Sequence, residues 1–185
     1  MGIPLLLLST ATRWIGTARI PAALADAGFE VSLLTPRNSL AERSRFVSKI
    51  AFLPDNATFP QWVAAFAGTV NATAPRIVLP CDDMAFRLLG MFLRSSNALQ
   101  PSLHLQLASL IHESLGNPDY YNVSVDKTLL PLAAEALGVR VPPYAIVATA
   151  EAAASFAEVH GYPVVISVDM ASPARGSRSA RIATS

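Results

Sequence analysis

Short apolar runs alternate with segments of helical periodicity along the first part of this sequence. Pro4–Leu8 is a continuous apolar run that ends at Ser9-Thr10, and a helical stretch follows from about Arg13 to Ala27. Continuous apolar runs are typical of parallel strands that are covered on both faces. The strand–helix–strand order therefore predicts a right-handed crossover and a Rossmann-like, open, mostly parallel α/β sheet.

The same alternation continues to about Leu115. Further strands are predicted over Phe29–Pro36, Lys49–Leu53 and Arg76–Leu79. Helices are predicted over Ser39–Phe46, Phe59–Thr73, Met84–Arg94 and Leu103–Leu115. Gly116-Asn117-Pro118 is a helix stop, so we place a domain boundary after residue 115.

The composition excludes several classes of protein. The chain has 185 residues, of which 52% are hydrophobic and 15% charged, so it can build a packed core and is not disordered throughout. Its net charge of +1 gives no field that would attract nucleic acid. No apolar run is long enough for a membrane span, and the single Cys81 fits a reducing compartment. We therefore expect a cytoplasmic protein without a membrane or nucleic-acid partner.

A second unit is predicted between Asp126 and Ile166. It contains a helix that begins at or just after Lys127 and stops at Gly138, a strand over Tyr144–Val147, a helix over Ala150–Val159 and an apolar strand over Pro163–Ile166. Because Pro131 cannot donate a backbone hydrogen bond, the first of these helices either begins near Thr128 or is kinked. This order of elements predicts a compact α+β unit.

Three short motifs of this unit, taken in order, resemble the start of the nucleotide-binding lobe of the ATP-grasp superfamily. They are Asp126-Lys127 at a helix start, Leu137–Pro142 (LGVRVP) and Gly161–Ile166 (GYPVVI). The superfamily includes biotin carboxylase, carbamoyl phosphate synthetase and D-alanine:D-alanine ligase. The resemblance implies a pre-ATP-grasp α/β domain over residues 1–115, followed by an incomplete α+β ATP-grasp lobe over residues 116–170. Residues 171–185 contain three arginines and no acid, which indicates a flexible basic tail.

The resemblance also implies a function. In the superfamily, ATP and Mg²⁺ activate a small-molecule carboxylate as an acyl phosphate, and an amine or similar nucleophile displaces the phosphate. The magnesium ligands lie far downstream, beyond the part of the fold that these residues cover. We therefore expect the amino-terminal portion of a carboxylate–amine ligase that is not catalytically competent as this chain alone. The alternative is a stand-alone, non-catalytic binding or interaction module with the same fold.

Two residues are candidates for nucleotide binding by resemblance. Lys127 stands where the family has a lysine that contacts ATP phosphates, and a lysine is a movable point charge suited to a polyphosphate. The alternative is a solvated lysine beside Asp126. Ser167 stands where a second lysine is usual, and a hydroxyl brings no charge to a phosphate. We therefore expect weak or absent ATP binding. The alternative for Ser167, which we favour over a catalytic role, is that it only ends an apolar strand.

Polar residues follow two of the predicted strands. Thr10 and Thr12 come after the first strand, and Asp82 and Asp83 come after the fourth. Ligands of open α/β sheets bind at the carboxyl ends of the strands, so all four are candidates for the substrate cleft. Paired carboxylates suit acid–base or metal chemistry, while the alternative is that Asp83 caps the next helix and Asp82 is solvated. The threonines could cap the first helix and leave amides free to face an anion.

The sequence predicts neither a metal site nor a catalytic residue. His104, His112 and His160 are too scattered to suggest a zinc site. An incomplete lobe would leave the apolar residues around Val164–Ile166 exposed, so we expect the chain to form a homodimer.

Overall fold

The chain folds into two compact units, Met1–Pro118 and Asp119–Ser185, in the computed structural model. The structure describes residues 2–95, 100–126, 128–168 and 180–184. The predicted domain boundary after residue 115 falls near the division between the two units. Lys127 and residues 171–179 and 185 of the predicted tail lie outside the described residues.

The first unit is built on a parallel sheet of four strands. The strands are β1 (Ile3–Leu8), β2 (Phe29–Pro36), β3 (Val47–Leu53) and β4 (Ile77–Pro80), in the order β3-β2-β1-β4. The central β1 pairs with both β2 and β4, and Leu6, Leu7 and Leu8 are fully buried. A strand that is covered on both faces must be apolar at consecutive positions, which is why the continuous leucine run becomes the middle of the sheet. The predicted Rossmann-like α/β fold is confirmed.

Helices cover both faces of this sheet. They are α1 (Ile15–Asp26), α2 (Phe59–Thr73), α3 (Asp83–Arg94) and α4 (Pro101–Leu115), with a short 3-10 helix at Leu40–Arg43. On one face, Leu6, Leu8 and Leu34 pack with residues of α2, α3 and α4. On the other face, Leu5, Leu7 and Leu33 pack with residues of α1 and with Ala41. The alternation of side chains along each strand thus divides the core into two layers.

The edge strand β4 is held by a side chain of α4. The backbone amide of Val78 donates a hydrogen bond to Ser114 Oγ at 2.9 Å, and Ser114 Oγ in turn donates to the carbonyl of Leu110 at 2.6 Å. Edge strands carry backbone groups with no partner in the sheet, and a covering helix can satisfy them. Ser114 does so for Val78.

The second unit is an α+β unit with its own small core. Its elements are α5 (Tyr121–Val125), α6 (Leu129–Ala136), β5 (Tyr144–Val147), α7 (Ala150–His160), β6 (Val164–Val168) and β7 (Ala180–Thr184). The strands form an antiparallel sheet in the order β5-β7-β6, and Val147, Phe156 and Ile182 are the buried residues of its core. Pro131 is the third residue of α6, where no intrahelical donor is needed, so the helix begins just after Thr128.

The predicted flexible tail is wrong for Ala180–Thr184. These residues form β7, which pairs with both β5 and β6, and Ile182 is buried under α7. The sequence ARIAT has only one large apolar residue and lies after a serine- and arginine-rich stretch, so its local pattern resembles a loop. Pairing with two distant strands decides its structure. Among the described residues, no helix combines the length and apolar character of a membrane span.

Candidate functional site

The carboxyl ends of β1 and β4 lie side by side in the first unit. The two strands are parallel neighbours, and Leu8 is the register partner of Pro80. The loop that follows β1 and the start of α3 are therefore brought to the same edge of the sheet. The chain continues from β1 towards β2 on one side, while β4 lies on the other, so this is the point at which the strand order reverses.

The Asp82 carboxylate joins the loop after β1 to the start of α3. Its Oδ2 accepts hydrogen bonds from the Thr10 amide at 2.6 Å, from Ser9 Oγ at 3.0 Å and from the Ala11 amide at 3.2 Å. Its Oδ1 accepts from Thr10 Oγ1 at 2.7 Å and from the Ala85 amide at 2.8 Å. The last of these bonds makes Asp82 the cap of α3.

This hydrogen bonding controls the charge of Asp82. Burial is the largest single influence and raises its pKa, but the hydrogen bonds from Thr10, Ala85 and Ser9 together outweigh burial, so the pKa lies below its ordinary value. Asp82 is therefore an ionised carboxylate with both oxygens engaged. Such a group fixes the loop geometry, and it is poorly suited to exchange protons with a substrate.

The structure corrects the capping role that the sequence suggested. From the sequence we expected Asp83 to cap the helix and Asp82 to be solvated. In the structure, Asp82 is the cap of α3, and Asp83 is the exposed first residue of that helix. Two adjacent aspartates offer the same local signal. The choice between them is made by the contacts of Asp82 with Ser9 and Thr10, more than seventy residues away in the chain.

The backbone amides expected to face an anion already have an acceptor. The amides of Thr10 and Ala11 donate to Asp82, so the protein's own carboxylate takes the place that an anionic ligand would hold. The Thr12 carbonyl accepts from the Leu40 amide at 2.9 Å, which ties the loop to the 3-10 helix. Thr10 also lines a cavity at this edge of the sheet, and Thr12 is not among the residues of that lining.

A cavity of about 610 Å³ opens at this edge of the sheet. Its walls come from the loop after β1, the ends of β2 and β3, the turn after β3, the first turn of α2 and the first two turns of α3. The apolar lining includes Pro36, Leu53, Trp62, Met84 and Leu88, and the polar lining consists of Thr10, Asp55 and Asn56. The volume is in the range of small-molecule sites, and the mixture of many apolar with a few polar groups is typical of them.

Trp62 is the one buried donor of this wall that lacks an acceptor among the described residues. Its ring is 2% exposed and stacks between Phe59 and Phe66, with centroid separations of 6.1 and 5.3 Å. Its Nε1 is buried without a hydrogen-bond partner. The sequence identifies Trp62 only as part of the apolar face of α2. Periodicity reports which face is buried and says nothing about an unpaired donor on that face.

The nucleotide candidates belong to the second unit. Lys127 lies outside the described residues, but its neighbours form a defined helix start. Asp126 Oδ1 accepts from the Thr128 amide at 2.9 Å and from Thr128 Oγ1 at 2.5 Å. Ser167 is a partly exposed residue of β6, and its register partner on β7 is Arg181.

Cys81 is poorly suited to act as a nucleophile. Burial, together with the charge of Asp82, raises its pKa to about 12, so the thiol stays protonated at neutral pH. Among the described residues, no group of three or more histidine, cysteine, aspartate and glutamate side chains could hold a metal ion.

The fold, but not the sequence, has clear counterparts among known proteins. No protein-family model and no curated protein sequence matches the chain. Among solved structures, it is similar to N5-carboxyaminoimidazole ribonucleotide synthetase from Thermus thermophilus, with a TM-score of 0.56, 14% identity and coverage of 98% of this chain and 46% of that one. The corresponding synthetase from Staphylococcus aureus, complexed with ADP, gives a TM-score of 0.55 at 10% identity, with coverage of 100% and 47%.

An L-amino acid ligase from Bacillus licheniformis is also similar, with a TM-score of 0.50 and 12% identity. The match covers 100% of this chain and 44% of the ligase. The chain thus spans about half the length of each of these neighbours. All three are ATP-grasp carboxylate–amine ligases. The 185 residues have the fold of the amino-terminal part of an ATP-grasp ligase.

Proposed function

We propose that this chain supplies the amino-terminal α/β domain and the first part of the nucleotide-binding lobe of an ATP-dependent carboxylate–amine ligase. The observation that carries this proposal is the similarity over 98–100% of the chain to several such ligases. The similarity includes both the parallel sheet and the α+β unit that follows it. The order of these two units along the chain is shared with the ligases, and a shared order of two units is a more specific similarity than a shared Rossmann-like sheet alone.

We assign a different role to the residues of each unit. In the first unit, Asp82 holds the loop after β1 and the start of α3 in one geometry, and the adjacent cavity offers space for a small substrate. In the second unit, Lys127 supplies a positive charge for a phosphate by resemblance to the family. ATP would contribute the phosphoryl group that activates a carboxylate.

The described residues fit a nucleotide only in part. Ser167 brings a hydroxyl and no charge to the strand that carries a lysine in relatives, and charge-assisted hydrogen bonds are roughly twice as strong as neutral ones. We therefore expect weak ATP binding, and binding rather than turnover is the property to measure on these 185 residues.

Thermal denaturation in the presence of ATP and Mg²⁺ tests this proposal. We expect a rise in melting temperature that Lys127→Ala abolishes. Lys49→Ala is the matched control, because Lys49 is the other lysine of the sequence and lies on β3 in the first unit. The absence of any shift at millimolar ATP, or an equal loss in both variants, would contradict nucleotide binding through Lys127.

The second candidate function is a non-catalytic binding module with the same fold. The observation that favours it is the uncharged Ser167 on β6, since it removes one of the two lysines expected at the nucleotide. This candidate predicts ligand binding to the cavity of the first unit without any effect of ATP. The two functions are thus separated by the same thermal measurement.

We also propose that the chain forms a homodimer through apolar surface of the second unit. Val165 and Ile166 of β6 are 52% and 54% exposed, although Val164 packs against the core. Successive residues of a strand point to opposite faces of the sheet, so each face of β6 carries one of these exposed apolar side chains, and exposed apolar surface favours association. Sedimentation equilibrium tests this expectation, and Val165→Lys should shift the chain towards the monomer.

A further inference from the structure

Three arginines line one cleft of the first unit. The cleft has a volume of about 410 Å³ and lies between α1 and the segment that runs from the 3-10 helix towards β3. Its lining consists of Ala18, Arg19, Ala22, Leu40, Arg43, Ser44, Arg45 and Phe46. No described residue lines both this cleft and the cavity at the carboxyl edge of the sheet, so the two are separate places on the unit.

The positive charges of this cleft have no acidic partner within it. Arg19 and Arg43 are exposed and form no hydrogen bond or ion pair with another described residue. No aspartate or glutamate is among the described residues that line the cleft. Glu42 precedes Arg43 in the chain, but it is not part of the lining, and its Oε2 is buried without a hydrogen-bond partner among the described residues. Like charges around one cleft repel one another, so a bound anion would relieve that repulsion.

The third arginine, Arg45, contacts an aromatic ring of the same cleft. The carbon at the centre of its guanidinium lies over the Phe46 ring, 4.9 Å from the ring centroid, which is a cation–π contact. A guanidinium has five N–H donors, and a contact with a ring does not use them as hydrogen bonds to an oxygen would. Arg45 is therefore positioned by Phe46 and still has donors for an anion.

The number of arginines favours a phosphate ester over a carboxylate as the anion. The planar fork of a guanidinium matches two oxygens of either group. A phosphate monoester has three acceptor oxygens and a charge of about −1.5 to −2 at pH 7, whereas a carboxylate has two oxygens and a single charge. The rest of the lining is largely apolar, with Leu40, Phe46 and the small side chains of Ala18 and Ala22, and it suits an organic group attached to the phosphate.

We propose that this cleft binds a small phosphate monoester, with Arg19, Arg43 and Arg45 as donors to the phosphate and with Leu40 and Phe46 against the organic group. The volume of the cleft lies within the range of small-molecule sites, which favours a free ester over a phosphorylated side chain of another protein. The proposal rests on the cleft alone and does not depend on the proposed ligase function.

Isothermal titration calorimetry at neutral pH, without ATP or Mg²⁺, tests the chemistry of the ligand. Phenyl phosphate is the reference probe, and we expect it to bind. Phenyl sulfate has the same shape but a single negative charge, so it should bind about fivefold more weakly. Inorganic phosphate lacks the organic group and should also bind about fivefold more weakly. A glycine–phosphoserine–glycine peptide with blocked ends carries the same phosphate on a polypeptide and should bind no better than phenyl phosphate.

Substitutions assign the binding to the cleft. Arg19→Gln, Arg43→Gln and Arg45→Gln should each weaken phenyl phosphate about fivefold, as expected for exposed charge pairs. Arg37→Gln is the matched control, because Arg37 is an exposed arginine of the same unit that does not line the cleft, and it should leave the affinity unchanged.

Four results would overturn the proposal. They are no binding of phenyl phosphate at millimolar concentration, an affinity for phenyl sulfate or inorganic phosphate equal to that for phenyl phosphate, an equal loss in Arg37→Gln, and tighter binding of the phosphopeptide, which would assign the cleft to a phosphorylated protein. Because ATP is absent, the result stands whether or not the thermal measurement finds nucleotide binding through Lys127.

Discussion

The Asp82 carboxylate accepts hydrogen bonds from both the backbone amide and the hydroxyl of Thr10, at 2.6 and 2.7 Å. This pair joins the end of β1 to the end of β4, and through the Ala85 amide it also begins α3. The edge of the sheet that carries the candidate cavity is therefore shaped by one ionised side chain.

Asp82→Asn should destabilise the first unit by about 2 kcal/mol, because the amide group replaces one acceptor oxygen by a donor and removes the charge from the remaining bonds. Urea denaturation followed by circular dichroism measures the change. Asp26→Asn, at the last residue of α1, should change the free energy of unfolding by less than about 0.5 kcal/mol. A similar effect of the two variants would show that the contacts of Asp82 contribute little.

The stability of the first unit should depend on pH through Asp82. Its pKa in the folded chain lies below the ordinary value of 3.8, so the ionised form stabilises the fold fully above that value. This contribution is lost as the pH falls through the lowered folded pKa. Urea unfolding at neutral pH and at acidic pH should therefore show the parent and Asp82→Asn converging in acid. A constant difference between them across the range would contradict the assignment.

The thiol of Cys81 should be unreactive in the folded chain. With a pKa of about 12, which results from burial and from the charge of Asp82, it should react with iodoacetamide far more slowly at about pH 8 than it does in urea. Asp82→Asn removes the second cause and should increase the rate in the folded state. Mass spectrometry of timed samples measures both rates, and equal labelling of folded and unfolded chain would refute the expectation.

Ser114→Ala should destabilise the chain by about 1–2 kcal/mol. The substitution leaves the Val78 amide of the edge strand without its acceptor. Ser109→Ala is the matched control on the same helix, since Ser109 bonds only to exposed Glu113 in the structure described. Hydrogen exchange at the Val78 amide should also accelerate in Ser114→Ala alone.

Ser167→Lys should strengthen ATP binding about tenfold if β6 faces the nucleotide, since it restores a charged contact. Val159→Lys adds the same charge at a position of α7 that is 78% exposed, and it should have no such effect. Thermal shifts with ATP and Mg²⁺ compare the two variants. An equal gain in both would indicate general electrostatic attraction instead of a specific site.

The sequence predicts a helix or strand of this chain well where the apolar residues of that element recur at helical or strand spacing. The helix over Phe59–Thr73 and the strand over Tyr144–Val147 have the predicted bounds, because an apolar face at helical spacing and a short β-branched and aromatic run are local signals. The leucine run of β1 likewise predicts a strand that is buried on both faces.

Long-range contacts decide the features that the sequence does not reveal. The choice of Asp82 over Asp83 as the helix cap depends on Ser9 and Thr10, and β7 is a strand because two distant strands pair with it. The unpaired donor of Trp62 depends on which atoms surround its ring. The cap of α3, the strand β7 and the unpaired Trp62 donor each depend on residues that are remote in the chain. A pattern read over a few consecutive residues therefore cannot predict them.

The position of β7 has a consequence for the order in which the polypeptide assembles. Strands β5 and β6 each pair with β7, and in the described sheet they do not pair with each other. During synthesis, the ribosome must therefore release Ala180–Thr184 before this sheet can close, by which time the parallel sheet of the preceding unit has long been available to fold. Nascent chains halted before residue 180 should contain a finished first unit and an open second one.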